Sequence, residues 1–548
     1  MSDNAKITPE ILAEAEKIIG LAFTPAEREL MLKGVNKRLE NYAALRAVSL
    51  PNSIAPALQF VPQSPNFQSP VSRTLISLDH IPAPQRPSSL EDVAFWPVTK
   101  LARLLQTGQV TSVELTEMYL VRLKKYDPQL KCVIALTEER ALAQARQADE
   151  EMANGRYRGP LHGIPWGAKD LLAVKGYPTT WGAAPFKEQV IDEDAAVVQR
   201  LDEAGAVLIA KLTMGALAWG DVWFGGKTRN PWDLEKGSSG SSAGSASATA
   251  AGLVGFAIGT ETYGSIVSPA NRCGVTGLRP TFGRVSRAGA MALSWSMDKI
   301  GPICRSVEDC ALVLAAIHGA DGVAGTATGT DTTATGTDAT ATGVDETAVS
   351  HPFFWTPKID ITKLRIGYTA ASFAKEGDNK AHEAAFTVLR ELGATLVPIE
   401  LPDYPIPALN LIFQAEAAAA FDELTRSGQD DLLVRQTADA WPNVFREARL
   451  ITAVEYIQAN RIRTLIMQEM AELMSQIDLY LAPSDDDYNL LLTNLTGHPA
   501  VVLPNGFSKA GIPASSLTFM GNLYDETTIL AVAQAYQTAT DFHERRPF

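Results

Sequence analysis

The stretch at residues 237–265, GSSGSSAGSASATAAGLVGFAIGTETYGS, constrains the fold of this chain more than any other. It opens with five serines and three glycines in nine residues, continues into an apolar run of small residues and ends on a second Gly-Ser pair. Serine in a glycine-flanked turn can be an exposed nucleophile, and consecutive backbone N–H groups there can bind an oxyanion. A flexible linker is the alternative for such a composition. The apolar segment AAGLVGFAIG argues against a linker, which should be followed by a polar or proline-rich spacer.

The composition is typical of a soluble globular protein, with 46% hydrophobic and 20% charged residues in a chain of 548. The formal net charge of −14 argues against direct binding to nucleic acid or to anionic lipid. No segment approaches the length of apolar sequence that a membrane span needs, and the opening MSDNAKITPEIL lacks the pattern of a secretory signal. We therefore expect a cytoplasmic protein with no membrane contact and no nucleic-acid partner.

The cysteines and histidines give no indication of a metal site or a disulfide framework. The four cysteines are irregularly spaced, which favours reduced and mostly buried thiols; they are Cys132, Cys273, Cys304 and Cys310. The seven histidines show no His-Glu-x-x-His or related spacing. We expect neither a metal nor another cofactor.

The chain is predicted to consist of a helical cap, a linker and one main domain. Residues 1–65 form the N-terminal helical cap, with two helices between residues 8 and 47. A proline-rich linker arm follows over residues 66–89. The main domain covers residues 90–548 and contains a low-complexity Gly/Thr/Ala/Asp insertion at 322–346, predicted to be a disordered surface segment. The cap and arm could form a homodimer contact or fold back on the main domain.

Helical and strand-like segments alternate through the main domain, which indicates an α/β fold with helices packed on a largely buried sheet. The predicted helices cover residues 112–126, 137–154, 194–204, 380–392 and 525–539. The predicted strands cover residues 132–136, 206–211, 364–368, 394–398 and 500–503.

Lys169 lies in an apolar run, the segment GIPWGAKDLL at residues 163–172. For a lone lysine, a side chain that carries its amine to solvent at a strand end is the simplest interpretation. The alternative is a buried, neutral lysine that acts as a base. Lowering its pKa from about 10.4 to about 7 costs roughly 5 kcal/mol, which burial can supply. Asp170, the next residue, points to the opposite face if the chain is extended.

Several further motifs follow one another through the main domain. They are SGSSAG at 239–244, GSI at 264–266, CGVTGLRPT at 273–281, GRVS at 283–286, DKIGP at 298–302 and NLTGHP at 494–499. Their identity and order resemble the amidase signature family, and the resemblance covers most of residues 90–548. It implies a single large α/β/α layered domain around a twisted mixed β-sheet, with the helical cap as an N-terminal extension.

The resemblance also implies a catalytic triad. Lys169 matches the family's catalytic lysine, Ser241 its bridging serine, held in a cis peptide, and Ser265 its acylated serine. Neutral Lys169 would draw a proton from Ser241 as Ser241 draws one from Ser265. Ser265 would then attack a carbonyl carbon and form an acyl-enzyme. The oxyanion hole, which binds the substrate's carbonyl oxygen, would consist of four backbone N–H groups, those of Thr262, Tyr263, Gly264 and Ser265.

This sequence departs from the family pattern at four positions near these residues. Ser239 and Ala243 replace glycines of the Gly/Ser loop, and Val267 replaces a frequent arginine. Tyr263 stands where the family often has glycine, which is costly if that position needs a positive φ. Because the three triad residues are retained, the departures bear on substrate and rate rather than on reaction class.

We predict an amidase that hydrolyses the C–N bond of a small-molecule carboxylic amide, with carbamates, ureas and esters also possible. The candidate pocket residues are Tyr263, Trp219, Trp223 and Phe224, although aromatic side chains belong to the core more often. One alternative is the A-type subunit of a glutamine-dependent amidotransferase, acting with partner proteins on charged tRNA. A non-catalytic binding protein is a second alternative. A third is an α/β-hydrolase with Ser242 as nucleophile, because residues 240–244 fit Gly-x-Ser-x-Gly, although the preceding segment is polar rather than strand-like.

Overall fold

The computed structural model describes residues 6–20, most of 22–36, 60–62, 78, 81–321, 344–375 and 380–547. Much of the second predicted cap helix lies outside the described residues. So do most of the proline-rich arm and nearly all of the insertion predicted at 322–346.

One mixed sheet of eleven strands forms the centre of the described chain, in the order β1-β3-β2-β8-β10-β9-β14-β15-β13-β11-β12. Its strands are β1 Val133–Leu136, β2 Pro165–Lys169, β3 Val207–Leu212, β8 Phe256–Glu261, β9 Thr276–Arg279, β10 Lys299–Cys304, β11 Arg365–Thr369, β12 Thr395–Ile399, β13 Leu479–Pro483, β14 Ala500–Phe507 and β15 Pro513–Gly521. Two small two-stranded sheets contain β4 Val222–Trp223, β5 Gly226–Lys227, β6 Arg229–Asn230 and β7 Asp233–Gly237.

Sixteen α-helices of the described residues surround these strands. They are α1 Pro9–Ile19, α2 Val98–Gln106, α3 Ser112–Leu130, α4 Glu138–Ala153, α5 Ala196–Glu203, α6 Ala243–Ala250, α7 Val267–Cys273, α8 Val307–Ile317, α9 Ala370–Lys375, α10 Lys380–Glu391, α11 Asn410–Ala420, α12 Asp422–Arg426, α13 Trp441–Ala448, α14 Ala453–Ser475, α15 Asp487–Thr496 and α16 Glu526–Thr538.

The central strands are buried along their whole length, which requires helices over both faces of the sheet. Every residue of β2, β3, β8, β10 and β13 is buried. Strands β2, β3 and β8 are parallel neighbours, whereas β10 runs antiparallel to β8. This arrangement confirms the predicted α/β/α fold around a mixed sheet.

The parallel pairing of β2 with β8 determines where the candidate site lies. Because both strands run in the same direction, Lys169 at the end of β2 and the turn after β8 come to the same edge of the sheet. Helix α6 starts just after Ser242, and α7 starts two residues after Ser265. Both serine loops therefore end at helix N-termini beside Lys169.

All ten predicted helices and strands of the main domain are present, with small shifts at their ends. The largest differences are in α3, which continues to Leu130 through Pro128, beyond the predicted end at residue 126, and in β14, which continues to Phe507, beyond the predicted end at residue 503. The helix begins on a capping box between Thr111 and Glu114 and ends on Lys131 in the left-handed conformation.

Short described parts of the cap and of the arm contact the main domain. The Phe60 ring packs edge-on against Phe282 with centroids 5.0 Å apart, and Leu78 belongs to the principal core. The domain boundary at residue 90 remains a prediction. All four cysteines are free and buried, as predicted. No helix of the described ranges has the length and apolar character that crossing a bilayer requires.

Candidate active site

The Lys169 amine is fully buried at the end of β2 and contacts three hydroxyl groups. Its Nζ lies 2.8 Å from the Ser241 Oγ, 3.0 Å from the Ser242 Oγ and 2.8 Å from the Thr260 Oγ1. The interpretation of Lys169 as a surface lysine is therefore wrong. The amine sits between β8 and the Gly/Ser loop, in direct hydrogen-bond contact with one of the two serines predicted to work with it.

The environment of Lys169 favours the neutral amine. Burial lowers the pKa of Lys169 well below its usual value of 10.5, and the carboxylates of Asp298 and Glu261 only partly oppose this effect. A neutral amine has a lone pair, so it can accept the proton of a neighbouring hydroxyl. The nearest candidate is the hydroxyl of Ser241.

Ser241 is fully buried in the Gly/Ser loop that precedes α6. The Gly240–Ser241 peptide bond is cis, as the family resemblance implies. A Cβ atom at position 240 would overlap the carbonyl oxygen of Gly220, so only glycine fits there. The chain then enters α6, and the Ser242 N–H donates to the Ser265 carbonyl at 3.2 Å. That bond joins the two serine loops.

Ser265 lies at the end of the 262–265 turn and is 8% exposed. Within the part of the chain that the structure describes, its hydroxyl has no hydrogen-bond partner. The structure thus brings Lys169 and Ser241 into contact and joins Ser265 to the same loop through its backbone. A direct Ser241–Ser265 hydroxyl bond is not formed.

The 262–265 turn presents backbone N–H groups that are not used elsewhere. Among the described residues, the N–H groups of Thr262, Tyr263, Gly264 and Ser265 have no acceptor. The left-handed residue is Gly264, with φ +83°, and Tyr263 is not in that region. Tyrosine at position 263 therefore carries no backbone penalty, which answers the concern raised by the sequence. Burial, together with Asp487 and Asp486, raises the pKa of the Tyr263 phenol to about 12.

The sequence model of the family described as Amidase matches residues 114–486 of this chain. The chain belongs to the amidase signature family. The A subunit of glutamyl-tRNA(Gln) amidotransferase from Roseiflexus sp. (strain RS-1) is 38% identical over 492 residues, which are 81% of this chain and 96% of that protein.

Two solved structures show the same relationship at the level of the fold. The peptide amidase of Stenotrophomonas maltophilia aligns with a TM-score of 0.69 and 31% identity over 82% of this chain and 98% of its own. The A subunit of glutamyl-tRNA(Gln) amidotransferase from Thermotoga maritima aligns with a TM-score of 0.66 and 25% identity over 83% of this chain and 96% of its own.

The hydrogen bonds of Ser242 argue against the α/β-hydrolase alternative for this chain. Its hydroxyl is fully buried, contacts the Lys169 amine, accepts from the Thr260 N–H at 3.1 Å and donates to the Thr260 carbonyl at 3.1 Å.

The prediction that no strand precedes this loop is wrong, because β7 ends at Gly237. That short polar strand escaped detection because it lies outside the main sheet and is mostly exposed.

Asp170 takes no part in the Lys169 cluster. It pairs with Lys211 at 3.1 Å, both side chains are fully buried, and Thr180 donates to it through N–H and hydroxyl. This agrees with the expectation that Asp170 points to the opposite face of the strand. Lys211 was missed by the sequence analysis because nothing in its segment distinguishes it from an ordinary strand lysine.

A residue that sequence reasoning missed supports the 262–265 turn from the side. Asp298 accepts the Thr262 hydroxyl at 2.6 Å and the N–H groups of Leu293 and Ser294 at 2.8 and 3.0 Å. The DKIGP motif contains Asp298, yet only the fold reveals that it contacts the turn. In the described residues there is no cluster of three or more metal-ligating side chains.

Three of the predicted aromatic pocket residues pack against other aromatic rings. Trp219 packs against Trp441 with centroids 4.7 Å apart and lines a surface cavity with Arg435. Trp223 packs against Phe224 at 4.9 Å. Their role as substrate-pocket residues remains a prediction.

Replacing Gly264 with alanine is expected to slow amide cleavage by at least about tenfold, because a Cβ there would lie 2.9 Å from both Leu490 Cδ2 and Ser268 Oγ. Gly176 is a matched control, since it has φ +81° but no atom within 4 Å of a Cβ. Both variants should lose about 1–2 kcal/mol of unfolding free energy from left-handed alanine. Chemical denaturation and steady-state rates would check this; equal rates for the two variants would contradict a functional role of the turn.

Proposed function

We propose that this amidase family member cleaves the C–N bond of a carboxylic amide through an acyl-enzyme on Ser265. Lys169 is the base and Ser241 relays the proton. The observation that carries the proposal is the 2.8 Å contact between the fully buried Lys169 amine and the Ser241 hydroxyl. A buried amine with a lowered pKa is suited to accept that proton.

The reaction runs in two halves. Ser265 Oγ attacks the carbonyl carbon while its proton passes to Ser241 and the Ser241 proton passes to Lys169. The tetrahedral intermediate then collapses, the C–N bond breaks, and the relay returns the proton to the leaving nitrogen. Water attacks the acyl-enzyme by the same relay and releases the carboxylic acid and free Ser265.

The 262–265 turn would stabilise the negative charge that forms on the carbonyl oxygen. Its N–H groups have no acceptor among the described residues, so they can bind the oxyanion without breaking existing bonds. One such donor is worth roughly 3 to 4 kcal/mol in comparable sites.

A second candidate function is the A-type subunit of an amidotransferase, in which the released ammonia is transferred rather than lost. The names and coverage of the sequence relatives favour this role over a stand-alone amidase, since the match spans 96% of the Roseiflexus amidotransferase protein at 38% identity. The stand-alone role is supported by the peptide amidase structure and by the acidic net charge of −14. The acyl-enzyme chemistry is common to both roles.

An acylating probe distinguishes the proposed nucleophile from its neighbour. Incubation with an alkyl fluorophosphonate, followed by peptide mapping, should place the label on Ser265. A label on Ser242 would contradict the proposal and revive the α/β-hydrolase alternative. Ammonia release from glutamine and from simple amides, measured with and without amidotransferase partner proteins and glutamylated tRNA, then separates the two roles. Full turnover by the isolated chain favours the stand-alone amidase.

A further inference from the structure

Glu261, the last residue of β8, is fully buried, and both of its carboxylate oxygens are hydrogen-bonded. Oε2 accepts the backbone N–H groups of Ile266 at 2.8 Å and Val267 at 2.9 Å. Oε1 accepts Arg279 Nη1 at 2.8 Å and Asn494 Nδ2 at 2.9 Å. All four partners are donors.

We infer that Glu261 is a positioning residue that fixes the 262–265 turn by binding the chain on both sides of it. Glu261 directly precedes the 262–265 turn in the chain, and its carboxylate accepts the N–H of Ile266, which directly follows the turn. One residue therefore fixes both ends of the four-residue segment. This inference rests on the proposed function, because it concerns the placement of Ser265 and of the N–H groups beside it. No interaction of Glu261 with a substrate is required.

The N-terminus of α7 explains why a carboxylate suits this position. Ile266 and Val267 supply N–H groups at the start of the helix, where no carbonyl of the same helix can accept them. A negative side chain satisfies them and interacts favourably with the helix dipole. The two bonds therefore set the orientation of α7 and of Ser265, which precedes it.

The other side of the carboxylate is anchored in distant parts of the fold. Arg279 is fully buried on β9 and also donates to the His498 carbonyl and to the Thr493 hydroxyl. Asn494 also donates to the Leu490 carbonyl in α15. Glu261 thus links the turn to β9 and α15, two elements that the chain brings together only when folded.

The carboxylate stays charged in this environment. Burial acts to raise the pKa of Glu261, but the Arg279 guanidinium and the hydrogen bonds from Val267 and Asn494 outweigh it and hold the pKa at about 2. Lys299, whose own pKa burial lowers well below its usual range, is a further neighbour of this cluster. The four donor bonds therefore persist across the neutral pH range.

Glutamine cannot replace this carboxylate, although it has nearly the same shape. In one amide orientation the NH₂ group faces the N–H groups of Ile266 and Val267. In the other orientation it faces Arg279 and Asn494. Two donor–donor contacts arise either way, and two hydrogen bonds are lost. Glu261→Gln is thus a volume-matched test of the proposal.

The test compares fluorophosphonate labelling of Ser265 in the wild type, Glu261→Gln and a control. Glu526→Gln is the control, because Glu526 is another fully buried glutamate that accepts a backbone N–H, from Thr281 at 2.9 Å, and pairs with an arginine, Arg284. We expect Glu261→Gln to reach the full labelling amplitude with a rate constant about 100-fold lower. The labelling rate constant of the control should stay within about threefold of the wild-type value, a change far smaller than the 100-fold effect expected for Glu261→Gln.

Amplitude and rate constant separate positioning from a merely structural role. If Glu261 only stabilised the fold, the labelled fraction would fall and the rate constant of the folded remainder would not; that result overturns the inference. A rate constant within threefold of the wild type also overturns it. Absence of label on Ser265 in the wild type would instead contradict the proposed function itself.

A second variant covers the case in which Glu261→Gln does not fold. Asn494→Ala removes one of the four donors from the far side of the carboxylate and leaves Ile266 and Val267 in place. Loss of one hydrogen bond to a charged group should slow labelling by about tenfold at full amplitude. Labelling of this variant at the wild-type rate would overturn the inference.

Discussion

Substitution of Ser265 by alanine is expected to abolish amide cleavage, with kcat lowered by about 10⁶-fold, as for loss of the nucleophile in other serine hydrolases. The variant has no hydroxyl to form the acyl-enzyme, while the buried Lys169–Ser241 contact does not depend on Ser265. Steady-state turnover of an activated amide, together with intact-protein mass spectrometry for the acyl adduct, measures both consequences.

A matched control for this variant is Ser247→Ala. Ser247 is a fully buried serine of α6 that donates to the Arg229 carbonyl at 2.8 Å and contacts none of the proposed catalytic residues. It should retain most of the activity. Residual turnover of Ser265→Ala above about one per cent of the wild type would show that another group attacks the substrate, since loss of a nucleophile costs far more than 100-fold.

Substitution of Lys169 by methionine is expected to lower the acylation rate by about 10²- to 10⁴-fold at pH 7, the usual contribution of a general base. Methionine keeps the apolar stem of lysine and fills nearly the same volume, so the change removes the proton acceptor with little effect on packing. Stopped-flow acylation with a chromogenic substrate provides the measurement. Acylation within threefold of the wild type would exclude Lys169 as the base.

The same residue sets a pH dependence of activity and of stability. Since the neutral amine is the active form, wild-type acylation should rise with pH through the lowered pKa of Lys169 and then reach a plateau. The unfolded chain keeps the proton on Lys169 up to a pH near 10.4, whereas the folded chain releases it at a lower pH, so wild-type stability should increase with pH between these two values relative to Lys169→Met. Lys175→Met, at an exposed lysine, should show no such difference.

The sequence predicts the fold well where local patterns dominate. The capping box at Thr111 and the buried run ending in β3 are visible as patterns of polar caps and apolar residues. The order of the strands in the sheet cannot be predicted from such local patterns, because it depends on pairing between strands that are distant in the sequence. The neighbours β14 and β9, for example, lie more than two hundred residues apart.

The candidate site could be predicted only in part, because a family motif identifies the proposed catalytic residues but not the residues that hydrogen-bond to the turn beside them. Lys169, Ser241 and Ser265 stand in recognisable motifs, so resemblance identified them. Glu261 lies three residues before the GSI motif and Asp298 is the first residue of the DKIGP motif, yet their contacts with Ile266 and Thr262 arise from the folded arrangement of turns. Sequence spacing carries no information about which N–H group a carboxylate will accept.

Measuring the protonation state of the Lys169 amine tests the proposed proton relay most directly. In protein labelled with ¹⁵N-lysine, the Nζ resonance of residue 169 is the one that disappears in Lys169→Met. Its chemical shift, followed from pH 6 to pH 9, should be that of a neutral amine at pH 7 and above. An ammonium shift that persists to pH 9 would contradict the relay.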